Sequence, residues 1–175
     1  MWKGLIYVYT GDGKGKTTAA LGQALRALGA GQSVYLIFFL KQNAATAEWS
    51  ALKRFGESCR VVVPDQVHPM FGPGSSVEHI RQTTQQALAE ALVAVRDGKF
   101  DLLILDEICN VLDQEYFDQA DFGQFLGRLP ASTHLILTGR GAPAWLVERA
   151  DLVTECRAVK HPFQDGEAAR KGIEF

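Results

Sequence analysis

Thr10-Gly11-Asp12-Gly13-Lys14-Gly15-Lys16-Thr17-Thr18 combines three glycines, two lysines and three threonines in nine residues. Glycines let successive backbone N–H groups curl around an anion, because they adopt φ values that other residues avoid. Lys16 is placed to reach a phosphate chain and the Thr17 hydroxyl to coordinate Mg²⁺. All nine residues, from Thr10 to Thr18, are expected to cradle the phosphates of ATP. A second constellation lies far downstream, where Leu102-Leu103-Ile104-Leu105 runs into Asp106-Glu107. Two carboxylates ending an apolar run supply hard oxygens for Mg²⁺, with Mn²⁺ as a substitute, and Glu107 is also placed to orient an attacking group. Lys16, Thr17 and Glu107 are the catalytic candidates, and Thr17, Asp106 and Glu107 the metal-binding ones.

These residues need elements to hold them, and short apolar runs alternate with helical patterns along the chain. Strands are expected at Leu5–Tyr9, Val34–Leu40, Arg60–Val63, Leu102–Asp106, His134–Thr138 and Leu152–Cys156. The run Val34–Leu40 is continuously apolar, as a strand covered on both faces should be. Helices are expected from Thr17 to Ala30, from Ser76 to Gly98, near Asp118–Leu129 and over Pro143–Arg149, while the prolines and glycines of 64–74 mark a loop. Both constellations follow predicted strands, and open parallel sheets bind ligands at the carboxyl ends of their strands. The glycine loop also precedes a predicted helix, the context that makes Gly-Lys-Thr a phosphate site. The expectation is an α/β, three-layer, P-loop nucleoside-triphosphatase-like fold with a mostly parallel sheet of five to six strands. It forms one domain over residues 1–175. The loop is a variant, because Thr10 occupies the place where the usual pattern opens with glycine.

Composition narrows the class. Hydrophobic and charged fractions of 47% and 22% are those of a globular protein. A net charge of −2 with no long Lys/Arg run argues against nucleic-acid binding. The longest apolar run is far short of the ~20 residues a membrane span requires. Cys59, Cys109 and Cys156 are too widely spaced for a metal-binding pair and read as reduced thiols of a cytoplasmic protein. Spacing alone leaves open whether ATP meets water, as in an ATPase, or a bound hydroxyl, as in a kinase.

The sequence resembles the P-loop-type ATP:corrinoid adenosyltransferases, which act on cob(I)alamin or cob(I)yrinic acid a,c-diamide. The likeness is carried by GLIYVYTGDGKGKTTAALGQALRALGAG, by LLILDEI, and by the stretches LTGRGAP, ADLVTE and VKHPFQDGEAARKGIEF. It implies transfer of the 5′-deoxyadenosyl group of ATP to Co(I) of a corrinoid, with triphosphate released. It also implies a homodimer supplied by an electron-donating reductase. A nucleotide- or corrinoid-binding regulator without catalysis is the non-enzyme alternative. By the resemblance Arg26 matches an arginine near phosphate, with a solvated helix charge as the other reading. Arg140, after the strand His134–Thr138, is placed for phosphate contact or is an exposed loop charge. The family's Phe-Thr-Trp segment corresponds here to Val67–Pro73, where Phe71 is the aromatic available to meet the corrin, and its N-terminal arm has no counterpart ahead of Gly4. His68 reads as a solvated loop residue rather than a cobalt ligand, His161 as a site residue or a packing residue, and Trp49 and Trp145 as helix-packing aromatics with corrin platforms as the other reading.

Overall fold

The computed structural model describes residues 3–41, 47–69, 74–162, 166–170 and 172–173. Six strands form one sheet: β1 (Ile6–Thr10), β2 (Val34–Phe38), β3 (Cys59–Val62), β4 (Leu102–Asp106), β5 (His134–Thr138) and β6 (Leu152–Glu155). Their order is β3-β2-β4-β5-β1-β6, and every neighbouring pair is parallel. β2 and β4 are buried at every position. That accounts for their unbroken apolar sequences, since helices cover both faces of a parallel sheet.

The helices are α1 (Lys16–Gly29), α2 (Ala47–Leu52), α3 (Val77–Arg96), α4 (Ile108–Asp113), α5 (Gln119–Arg128) and α6 (Ala144–Arg149). Ala20, Ala24, Ala27 and Leu28 of α1, with Leu52 of α2, pack on one sheet face against Leu36, Phe38, Ile104 and Ile136. On the other face α3 to α6 enclose Tyr35, Ile37, Phe39, Leu103, Leu105 and Leu137. This is the three-layer arrangement of P-loop proteins. Ser76 caps α3, its side chain accepting from His79 N at 3.1 Å, and Asp118 caps α5 in the same way.

Two helices have no clear sequence signal. α2 and α4 are each six residues long, fewer than two turns, and unlike the equally short α6 neither follows a proline that marks its start. α4 starts directly after β4, and Glu107 makes the turn between them at φ 64°. Such a left-handed backbone is unfavourable for a residue with a Cβ and is held here by the surrounding contacts.

Candidate nucleotide site

β1 delivers the glycine loop to the carboxyl edge of the sheet, and α1 begins immediately afterwards. Gly15 caps α1 at φ 120°, with no side chain covering the first-turn amides. Those uncapped N–H groups, with the positive end of the helix dipole, make an anion site. Lys16 is 7% exposed, and its Nζ donates to Gly11 O at 2.7 Å and Gly13 O at 2.8 Å. The ammonium is thus held against the loop it is meant to serve.

The loop has a second wall that local sequence does not announce. Past β6 the chain runs alongside it: Cys156 N donates to Thr10 O at 2.8 Å, and Gly13 N donates to Cys156 O at 2.7 Å. A Cβ on Gly11 would stand 2.5 Å from Cys156 O, and one on Gly13 would stand 2.5 Å from the Arg157 carbonyl carbon. These glycines therefore answer to close backbone packing. The Gly13 amide serves that packing. Lys14 Nζ donates to Ile173 O at 2.7 Å, which brings a residue near the end of the chain to the same place. Thr10 occupies the departed glycine's position, and its Oγ1 accepts from Ala142 N at 3.2 Å, tying β1 to the segment after β5.

The carboxylates arrive from β4. Asp106 is buried, and its Oδ1 accepts from Thr138 Oγ1 at 2.7 Å, while Thr138 Oγ1 accepts from Glu107 N at 3.0 Å. Lys41 Nζ lies 2.7 Å from Asp106 Oδ2 in an ion pair whose alignment leaves that oxygen without a formal hydrogen bond. Glu107 faces the cavity. Burial raises its carboxyl above the ordinary glutamate value, and Asp106 adds to the rise against the opposing pull of Lys41, Lys16 and Arg140.

Together these groups border a cavity of about 870 Å³. Asp12, Gly13, Lys14, Gly15, Lys16, Thr17 and Thr18 line one side of it, and Lys41, Glu107 and Arg140 another. The space is ample for a nucleotide, and it holds the phosphate-loop and acidic constellations in one place. Arg26 is not brought here. It lies exposed in the last turn of α1 and lines a separate cavity at the other end of the sheet, so its phosphate assignment gives way to the solvated helix charge. His161 does line the main cavity. His68 packs edge-on to Tyr116, with ring centroids 6.3 Å apart. Trp145 donates to Gln119 Oε1 at 2.8 Å and packs against the core beside Phe122, while Lys53 Nζ lies 3.6 Å from the centre of the Trp49 ring. Phe71 lies outside the described residues. All three cysteines are free thiols, and burial pushes Cys109 up to about 12, which leaves it inert as a nucleophile.

Sequence reasoning missed Lys41 and Thr138. Each had a signal: both stand at or just beyond the carboxyl end of a buried strand, as Asp106 does. The wall at Cys156–Arg157 had none, because the segment follows an exposed edge strand and meets the loop only through its backbone.

A family model described as ATP:corrinoid adenosyltransferase BtuR/CobO/CobP matches residues 2–175. The chain belongs to the ATP:corrinoid adenosyltransferase family. It is similar to a corrinoid adenosyltransferase of Sinorhizobium sp, with 38% identity across 99% of this chain and 81% of that relative. Corrinoid adenosyltransferases of Pseudomonas aeruginosa and Escherichia coli K12 are 35% and 34% identical, each across 99% of this chain and across 84% and 86% of the relatives. Membership in this transferase family implies two substrates, ATP and a corrinoid. Among the described residues no helix is long and apolar enough to cross a membrane.

Proposed function

We propose that this chain, acting as one nucleotide-binding unit over 1–175, transfers the 5′-deoxyadenosyl group of ATP to the Co(I) centre of a corrinoid and releases triphosphate. In that reaction a cobalt–carbon bond forms at C5′ as the C5′–oxygen bond breaks, and the electron pair of the broken bond leaves on the triphosphate. Cobalt is the nucleophile and arrives with the substrate. The protein's work is to align C5′ and to stabilise the departing polyanion. The observation that carries the reading is the convergence of Lys14, Lys16, Lys41 and Arg140 on a single cavity that opens at the glycine loop.

The oxygen donors there suit a hard divalent cation. The Thr17 hydroxyl and Glu107 carboxylate line the same cavity, and the Asp106 carboxylate lies behind them. Mg²⁺, or Mn²⁺ in its place, would supply charge neutralisation at the triphosphate when bound. Lys16, now on the carbonyls of Gly11 and Gly13, exchanges these for phosphate oxygens, and the uncapped amides of α1 hold the same chain. Cobalamin and cobyrinic acid a,c-diamide are the corrinoid candidates. The functional unit is a homodimer in the cytoplasm served by a separate reductase.

An anaerobic assay with ATP and chemically reduced cobalamin tests this reading, following the cobalt–carbon product by absorbance and the nucleotide products by chromatography. Adenosylcobalamin and triphosphate in equal amounts are expected. Release of ADP or phosphate with no need for a corrinoid would remove the reading in favour of an ATPase or kinase. Tight ATP binding without turnover would favour a regulator.

A further inference from the structure

Lys41 both pairs with a buried carboxylate and lines the cavity. Asp106 is 1% exposed; Thr138 holds its Oδ1, and Lys41 stands 2.7 Å from its Oδ2. A buried carboxylate without a counter-charge is strongly unfavourable, so Lys41 fills a need. Yet Lys41 is not itself sealed in. Its side chain is 24% exposed and lines the same cavity as Lys14, Lys16 and Arg140.

The chain invests in that placement. Leu40 turns out of β2 at φ 55°, a conformation disfavoured for leucine. Its N–H donates to the side chain of Gln66, a residue 1% exposed. The Gln66 amide in turn donates to the hydroxyls of Thr83 and Thr84 and to Ile80 O on α3. A buried polar network of this kind rigidifies what it touches. The Phe38 ring centre lies 4.3 Å from Lys41 Nζ, adding a cation–π contact. The backbone at Leu40 is fixed and the ammonium is on a flexible stem, so it can turn from one anion to another at little cost.

We propose that Lys41 is a shared counter-ion, paired with Asp106 before substrate enters and with the triphosphate of bound nucleotide once Asp106 faces a divalent cation. The inference rests on the nucleotide-binding reading above. The exchange keeps Asp106 neutralised throughout and gives the leaving triphosphate a third ammonium. It also makes cation and polyphosphate binding interdependent, since each favours the arrangement that suits the other.

The experiment uses Lys41→Met and Lys41→Arg, with Mn²⁺ titrated by electron paramagnetic resonance and Mn²⁺–tripolyphosphate by calorimetry. Removing the competing ammonium should tighten Mn²⁺ binding without nucleotide about tenfold in Lys41→Met, while Mn²⁺–tripolyphosphate binding weakens about tenfold. Lys41→Arg should stay within about threefold of the wild type in both. Unchanged Mn²⁺ affinity in Lys41→Met, or unchanged tripolyphosphate affinity, overturns the exchange and leaves Lys41 a fixed structural partner of Asp106. If Lys41→Met does not fold, Lys41→Met/Asp106→Asn removes both charges and is compared with Asp106→Asn alone. A loss of about tenfold in tripolyphosphate affinity is expected between them, and equal affinities overturn the proposal. Failure of the wild type to bind Mn²⁺–ATP would instead remove the functional reading and this inference with it.

Discussion

The two ends of α1 lie beside two cavities, and only one of them has the makings of a phosphate site. At its N-terminus the helix opens from Gly15 with uncapped amides onto a space of about 870 Å³ bordered by Lys14, Lys16, Lys41 and Arg140. At its C-terminus it borders a cavity of about 310 Å³ lined by Arg26, Gln23, Gln32 and the starts of the strands, including Leu5, Leu102 and His134. There the last carbonyls face the chain's own turn, where Ala30 N donates to Arg26 O and Ala27 O, and the His134 ring accepts from Leu5 N. The helix dipole is positive at the first end and negative at the second. Arg26 offsets the negative end of its own helix, whereas Lys16 stands at the positive end, where the triphosphate is proposed to bind. Two basic residues ten positions apart on one element therefore sit in opposite fields, set by which end of the helix they occupy.

The largest test of this contrast is Lys16→Ala, which should weaken ATP binding by more than about 100-fold, since two charge-assisted hydrogen bonds to phosphate are lost together. Calorimetric affinity within about threefold of wild type would contradict the assigned loop geometry. Gly13→Ala comes next. The added Cβ would meet the Arg157 backbone, costing about 1–3 kcal/mol of stability by forcing the loop from its wall, with a lowered Tm. An unaltered Tm would mean that the post-β6 segment does not clamp the loop.

Glu107→Gln addresses the electrostatics. A carboxyl whose folded pKa lies above its unfolded one stabilises the fold only while protonated. Its contribution is present in full below the ordinary glutamate value of 4.5 and is lost as pH rises through the raised folded value. Denaturant midpoints of the wild type should fall across that window, and Glu107→Gln should flatten the fall; identical profiles would show that Glu107 is not held in a desolvated place. Thr10→Ala is expected to cost about 1 kcal/mol, because Ala142 N loses its acceptor, with ATP affinity nearly kept. Smallest is Arg26→Ala, with stability within about 0.5 kcal/mol and ATP affinity unchanged. A tenfold loss of ATP affinity in that variant would erase the distinction between the two ends.

The sequence alone was sufficient for the glycine loop, the Asp106-Glu107 pair and all six strands, because each depends on residues adjacent in the chain. Turn-permissive glycines, a run of β-branched and aliphatic residues, and acids at a strand's end are local chemistry, and they read the same before and after folding. α2 and α4 were not legible, each spanning fewer than two helical turns with no proline to mark its start. The tertiary structure decided which charges meet. Lys41 and Asp106 are 65 positions apart and Gly13 and Cys156 143 apart, yet each pair is in contact because parallel crossovers stack strand ends side by side. Strand order β3-β2-β4-β5-β1-β6 sets Lys41 beside Asp106, and the β1–β6 pairing sets Cys156 beside the glycine loop. No local pattern encodes that order, because it is settled by how whole layers pack, and packing is a property of the assembled sheet.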